Sequence, residues 1–313
     1  MSNFWPPLIA LILAAPALQA DTLRVCPTCA LQTPSQAAPI AKDGDTVEIE
    51  AGEYFGDAAV WRAHNLLLRG VNGKAHLYSR GVMARNKAIW LIQGNNTVVE
   101  NIGFHDARVR DRNGAGIRLE GTNLVVRNCL FRHNENGLLT GVNPDSEVFI
   151  ENSEFDENGH GDGKSHNAYI GKIKMLTVTD SYLHQALIGH QLKSRALENR
   201  ISGNRFEDGP NGRSSYLIDL PNGGVATIEG NTLLQGPMAE NSTMVSFGAE
   251  KAAHPTHRLV VRNNLFKNER LDKCILLDVR KPLAEPAEVE GNRFSGCSRM
   301  KGPIRAANNQ TLD

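Results

Sequence analysis

The side chains able to do chemistry are concentrated between His160 and Asn222 of this 313-residue chain. That window holds His160, Asp162, Lys164, His166, Asn167, Tyr169, Lys172, His184, His190, Gln191, Lys193, Arg195, Tyr216, Asp219 and Asn222, and four of the ten histidines fall between His160 and His190. Cations beside imidazole, phenol and carboxylate suit proton transfer next to an anionic group. A fixed positive charge stabilises charge as it builds up, a base removes one proton and an acid returns another. Lys193 is the candidate base, activated by the neighbouring cation Arg195, and Arg195 can grip a carboxylate through two parallel N–H bonds. Tyr169 or His166 can return the proton. His160, Lys164, Asn167, Gln191, Tyr216, Asp219 and Asn222 are the candidate ligand contacts.

These residues need a scaffold that brings them together, and a repeat supplies one. Three or four apolar or β-branched alternations, then Asn or Gly-Asn, then Phe or Leu recur as VVENIGF, VVRNCLF, FIENSEF, TVTDSYL, ISGNRF, TIEGNTLL, VVRNNLF and VEGNRF. The Phe or Leu positions 104, 131, 155, 183, 206, 233, 266 and 294 lie 23 to 33 residues apart, about 27 on average. Each unit has a second short strand upstream, for example NAYIG, HQLKS and SYLIDL. Strands this short cannot bury a face alone, but stacked coils about 4.8 Å apart let each pair with its equivalent above and below. With 28 asparagines in the chain, the recurrent Asn is assigned to a turn that tolerates left-handed geometry, its amide hydrogen-bonding along the stack.

The expected fold is therefore all-β, a single right-handed parallel β-helix of about ten coils. Asp43–Asp57 and His64–Leu77 read as less regular early coils, and the helically spaced segment Leu31–Ala41 as an N-terminal cap over the open edge. Alternation about an inward Leu192 predicts that His190 and Ser194 face in while Gln191, Lys193 and Arg195 project. Stacking then sets Tyr169, Lys193 and Asp219 in one outward column, overhung by the GHGDGKSH loop.

Thirty-four Lys plus Arg balance 34 Asp plus Glu, so nothing favours a nucleic-acid partner. The first twenty residues, with an apolar run from Leu8 to Ala17, read as a signal peptide preceding a β-helix domain over 21–313. That run is too short to span a bilayer and no later segment approaches the required length, so no membrane insertion is expected. Cys26 and Cys29 read as a local disulfide. Cys274 and Cys297, 23 residues apart, are placed to meet on neighbouring coils, which leaves Cys129 as a buried thiol. No metal and no cofactor are expected.

The Asn-bearing coils, the DGDTVEIEAGEY segment and the NGLLTG-like strands resemble the right-handed parallel β-helix proteins of the pectate-lyase-like superfamily over nearly all of residues 21–313. That superfamily holds uronan lyases, galacturonan hydrolases, uronan epimerases and proteins without known activity, so function must be read from the site. Around Lys193-Ser194 the chain also resembles the alginate lyase and chondroitinase B family, where a Lys-Ser on this strand supplies the base. The match is partial. Pro221, Asn222 and Gly223 stand where that family has Arg-His-Gly, and Ala186 and Ile188 stand where its calcium-binding acids belong.

The resulting expectation is a periplasmic or secreted polysaccharide lyase that acts by β-elimination on an acidic, uronic-acid-containing polysaccharide. The alternatives are a non-catalytic carbohydrate-binding or envelope-structural β-helix, a uronan epimerase, or a glycoside hydrolase. Hydrolysis wants paired carboxylates, and the sequence offers Gly159-His160-Gly161 but no Asp-Asp pair. The oligomeric state is left open.

Overall fold

A computed structural model describes residues 20–250 and 254–312. The signal-peptide reading of residues 1–20 falls almost wholly outside them. The described residues form a parallel β-solenoid of about ten turns. One sheet has ten strands running in strict coil order from Ala59–Trp61 through Ala168–Ile170, Leu192–Ser194 and Ile218–Leu220 to Met300–Lys301. The remaining 21 strands join in a second, folded sheet that wraps the other two sides. Among the described residues no helix is long and apolar enough to cross a membrane.

Each turn carries three strands where the sequence reading distinguished two. VVRNCLF, read as one alternation, is split into Leu124–Arg127 and Leu130–Arg132 because Asn128 sits between them in the left-handed region at φ 52°. Asn101, Asn152 and Asn263 make the same corner at φ 57°, 47° and 58°, and Gly203, Gly230 and Gly291 take it over at φ 65–70°. Asn and Gly recur there because they tolerate this geometry at least cost.

The repeat is in register throughout its length. Phe104, Phe131, Phe155, Leu183, Phe206, Leu233, Phe266 and Phe294 pair one above another through seven successive strand pairings. All eight lie in the buried core, with Phe131 and Phe155 stacked at 4.5 Å between ring centroids. Burying each such side chain contributes roughly 1.5–3 kcal/mol.

The amide ladder lies one residue beyond the corner. Buried Asn204, Asn231, Asn264 and Asn292 each donate Nδ2–H to the Oδ1 of the next rung, at 2.9–3.0 Å, ending on Asn309. Each also closes on a strand carbonyl of the coil before at 2.9 Å. The two jobs assigned to a single asparagine are thus divided between neighbours: the exposed residue turns the chain and the buried one binds the coils. Upstream, the hydroxyls of Ser181 and Ser153 carry the ladder to Cys129.

The N-terminal segment contributes one helical turn, Pro34–Ala37, that packs Ala37 onto the core. Cys26–Cys29 and Cys274–Cys297 are disulfides, and Cys129 is free and buried.

Candidate functional site

Strand register on the ten-strand sheet sets Tyr169 opposite Lys193, and Lys193 opposite Asp219. The outward column foreseen from the sequence therefore exists, and it continues through Ser246 and Asp278 to Lys301. Because the strands are short and in parallel register, side chains 24 to 26 residues apart become vertical neighbours.

Lys193 Nζ lies 3.4 Å from Asp219 Oδ2 and 3.5 Å from Glu250 Oε1. Its side chain is only 13% exposed and sits 5.9 Å from the Tyr169 ring centroid. Arg195 lies just beyond the strand and has four engagements. Nε donates to Tyr169 Oη at 3.1 Å, Nη1 donates to Asn222 Oδ1 at 2.6 Å and to Glu250 Oε2 at 2.7 Å, and Nη2 donates to Glu250 Oε1 at 3.0 Å. The guanidinium thus holds a carboxylate by the two-pronged contact expected of it, but the carboxylate belongs to Glu250. This contact holds the Glu250 carboxyl below the usual carboxylate range, with Lys193 adding to the effect. Burial raises the Asp219 carboxyl above its usual range, against the opposing pull of Lys193.

Beside the column, His166, His190 and Tyr216 form a stack. The two imidazoles are 4.6 Å apart and nearly parallel, 8° between planes, and Tyr216 lies 4.9 Å from His190. The backbone N–H of His190 donates to His166 Nδ1, and that of Tyr216 donates to His190 Nδ1. Each neutral ring therefore carries its proton on Nε2. Burial, reinforced by Lys193, pushes His190 down to about 3, and burial also holds His166 well below its ordinary value. His190 Nε2 points to Asp219 Oδ2 at 3.5 Å. His190 was expected to face the interior. It is buried, but on the side of the column, between His166, Tyr216 and Asp219, because the alternation of the short strand Leu192–Ser194 does not extend back into the turn before it.

The remaining sequence candidates divide by burial. Asn167 and Gln191 are fully buried rungs of a second internal ladder. Asn158 donates to Asn167 Oδ1, Asn167 to Gln191 Oε1 and Gln191 to Asp208 Oδ1. Both therefore turn inward instead of onto the ligand face, and Gln191 corrects the alternation that projected it outward. His166 is 1% exposed, and its ring packs edge-on to Tyr169 at 5.2 Å between centroids. Tyr169 and Tyr216 are half-buried on the face, and Asn222 is a buried acceptor of Arg195.

The loop from His160 to His166 packs against the turn before Lys193: Gly159 abuts Leu187 and Gly163 approaches the Ile188 carbonyl. Within it His160 Nδ1 lies 3.4 Å from Glu135 Oε1, and Lys164 is exposed. His184, part of the original cluster, lies on the other sheet with Glu154, Asp156 and Arg132.

Glu250 was missed. It stands 55 residues beyond Arg195, and its backbone N–H is fixed to the Pro221 carbonyl. One signal pointed to it: the widest interval of the repeat, 33 residues between Leu233 and Phe266, is the one that contains it. From the same interval His254 Nε2 lies 3.1 Å from the Arg195 carbonyl.

This architecture is a parallel β-helix, and solved parallel β-helices resemble it. The solved structures that resemble it include the pectate lyase Pel9A, with a TM-score of 0.55 and 12% identity over 93% of this chain and 77% of that one. An alginate lyase from Paenibacillus sp. str. FPU-7 aligns with a TM-score of 0.49 and 15% identity, covering 93% of this chain and 95% of that one. DFA-IIIase from Arthrobacter chlorophenolicus A6 gives 0.49 and 13% identity, covering 88% and 82%. No family model matches the chain, and no curated protein matches it. At such identities the likeness is one of fold.

Proposed function

We propose that the protein is an exported polysaccharide lyase that cleaves a uronic-acid-containing polysaccharide by β-elimination. The observation carrying this reading is the outward column Tyr169–Lys193–Asp219 with Arg195 bracing its end, which gathers a carboxylate clamp, an amine and a phenol within one side-chain length of each other. Arg195 neutralises the sugar carboxylate and so acidifies the adjacent C5–H. Lys193 takes the C5 proton. The C–H electron pair becomes the C4–C5 double bond, the C4–O4 bond breaks, and Tyr169 gives its phenolic proton to the departing O4. Transfer of the proton from Lys193 to Tyr169, directly or through water, restores both groups. Lys193 Nζ is engaged by two carboxylates in the unliganded protein, so a base role requires that at least one of them be displaced.

The test is the appearance of unsaturated product, read by ultraviolet absorbance, over a panel of alginate, pectate, glucuronan and glycosaminoglycans. Lys193→Ala is expected to lower turnover at least 1,000-fold with the fold retained, on the order of a general base's contribution. Undiminished turnover removes Lys193 from the mechanism. Binding of acidic glycans with no product from any of them supports a binding module instead.

One observation favours a second reading. Asp219 and Glu250 both lie within 3.5 Å of Lys193 Nζ, a carboxylate pair of the kind hydrolysis uses. New reducing ends without ultraviolet absorbance identify that outcome.

A further inference from the structure

The anion position beside Arg195 and Lys193 is filled by an exposed residue of the chain itself. Glu250 places Oε2 2.7 Å from Arg195 Nη1 and Oε1 3.0 Å from Nη2, and the same Oε1 is 3.5 Å from Lys193 Nζ. The side chain is 47% exposed, while those of Arg195 and Lys193 are 18% and 13% exposed. An anion arriving from solvent therefore meets Glu250 before it meets either cation. The backbone of Glu250 is anchored on Pro221, so the carboxylate can leave by side-chain rotation without unfolding the turn.

We propose that Glu250 is a built-in stand-in for the uronate carboxylate, occupying the substrate's carboxylate position and leaving it only when a sugar carboxylate takes its place. The proposal rests on the lyase reading for the identity of the ligand, and it adds the geometry of that ligand. In a glutamate side chain Cγ bears the carboxylate, as C5 does in a hexuronate. A uronate carboxylate seated where the Glu250 carboxylate sits brings C5, and the hydrogen upon it, to the position held by Cγ, one bond from the carboxyl carbon whose Oε1 lies 3.5 Å from Lys193 Nζ. The same exchange takes the Glu250 carboxylate away from Lys193 and sets the substrate's own carboxylate against Nζ in its place. Ligand binding and release of Glu250 are then a single event, and a neutral sugar, having no carboxylate, accomplishes neither. Selection for acidic glycans follows from competition within the chain as well as from the clamp.

The experiment compares wild type, Glu250→Gln, Arg195→Ala and the variant carrying both substitutions for binding of galacturonate, glucuronate and acetate, by calorimetry or by shifts in nuclear magnetic resonance spectra, with glucose as the neutral control. Glu250→Gln removes the competing charge and keeps the shape. It is expected to bind the carboxylates at least about tenfold more tightly than wild type, because the charge-assisted double contact no longer favours the closed state. Arg195→Ala is expected to abolish carboxylate binding in both backgrounds, and glucose is expected to be ignored throughout. Equal or weaker carboxylate binding by Glu250→Gln, or tighter binding that survives Arg195→Ala, overturns the proposal. The readout needs no turnover. Tighter carboxylate binding in Glu250→Gln with no elimination product from any variant sinks the lyase reading and leaves the stand-in intact; elimination activity with unchanged affinity in Glu250→Gln does the reverse.

Discussion

Replacing Asn231 by Ala tests what binds one coil to the next. Its side chain is 1% exposed and makes four hydrogen bonds. Nδ2 donates to the Ile201 carbonyl at 2.9 Å and to Asn264 Oδ1 at 3.0 Å, while Oδ1 accepts the backbone N–H and the Nδ2–H of Asn204 at 2.9 and 3.0 Å. Alanine removes all four. The partners are not equally harmed, since Asn204 Nδ2 keeps the Val178 carbonyl and Asn264 Oδ1 keeps the Asn231 backbone N–H. The Asn204 backbone N–H is the donor stranded in the interior. With a net value of about 1 kcal/mol for each of the other three hydrogen bonds and 1–3 kcal/mol for the buried orphan, the loss is roughly 4–6 kcal/mol. Equilibrium urea unfolding measures it globally, and hydrogen exchange at the Asn204 amide measures it where the bond is lost. Asn231→Ser is the internal control. Ser153 and Ser181 fill the equivalent rungs with hydroxyls, so serine is expected to cost less than alanine. The exposed corner residue Asn152, at φ 47°, should behave oppositely: alanine costs roughly 1 kcal/mol through left-handed strain, and glycine is tolerated. A cost below about 1 kcal/mol for Asn231→Ala, or an Asn152→Ala cost as large as that of Asn231→Ala, refutes the division of labour between corner and ladder.

Two further outcomes can be measured directly. His190 is pushed down to about 3 and His105 to about 4, in both cases chiefly by burial. The unfolded chain therefore takes up these protons first, and stability is lost as pH falls from about 6.5 toward those values; His190→Gln is expected to flatten this acid limb of a stability-against-pH profile, and an unchanged limb contradicts the neutral stacked imidazole. Burial pushes the Cys129 thiol up to about 11 and encloses it completely, so iodoacetamide is expected to leave the native protein unlabelled and to add one group after denaturation without reductant. Labelling of the native protein, counted by mass spectrometry, would show that the thiol is reachable.

Much of the scaffold was legible because a solenoid writes its register into the sequence. Phe104 to Phe294 recur because each must fill the same interior position, and that recurrence sufficed to stack Tyr169, Lys193 and Asp219. Alternation failed where strands end. Gln191 and Asn167 precede three-residue strands, and there the interior ladder, not the pleat, decides which way a side chain points. The corners were half legible: Asn was correctly assigned to both a left-handed turn and an amide stack, yet nothing in a single pattern shows that adjacent residues share the work. Glu250 was invisible to motif reasoning because its contact with Arg195 spans two coils and comes from a connection, whose path the repeat does not fix.

The variation in coil length, from 23 to 33 residues, has a consequence for how such a molecule can change over time. Since the eight ring positions keep their register despite it, the surplus is absorbed in the connections, and the stretch between Phe247 and Arg258 that delivers Glu250 is one of these. On the role proposed for Glu250, lengthening, trimming or recoding that stretch would retune which anions gain admission while the ring column and the amide rungs stayed untouched, so selectivity could drift in this architecture without first passing through an unstable ancestor.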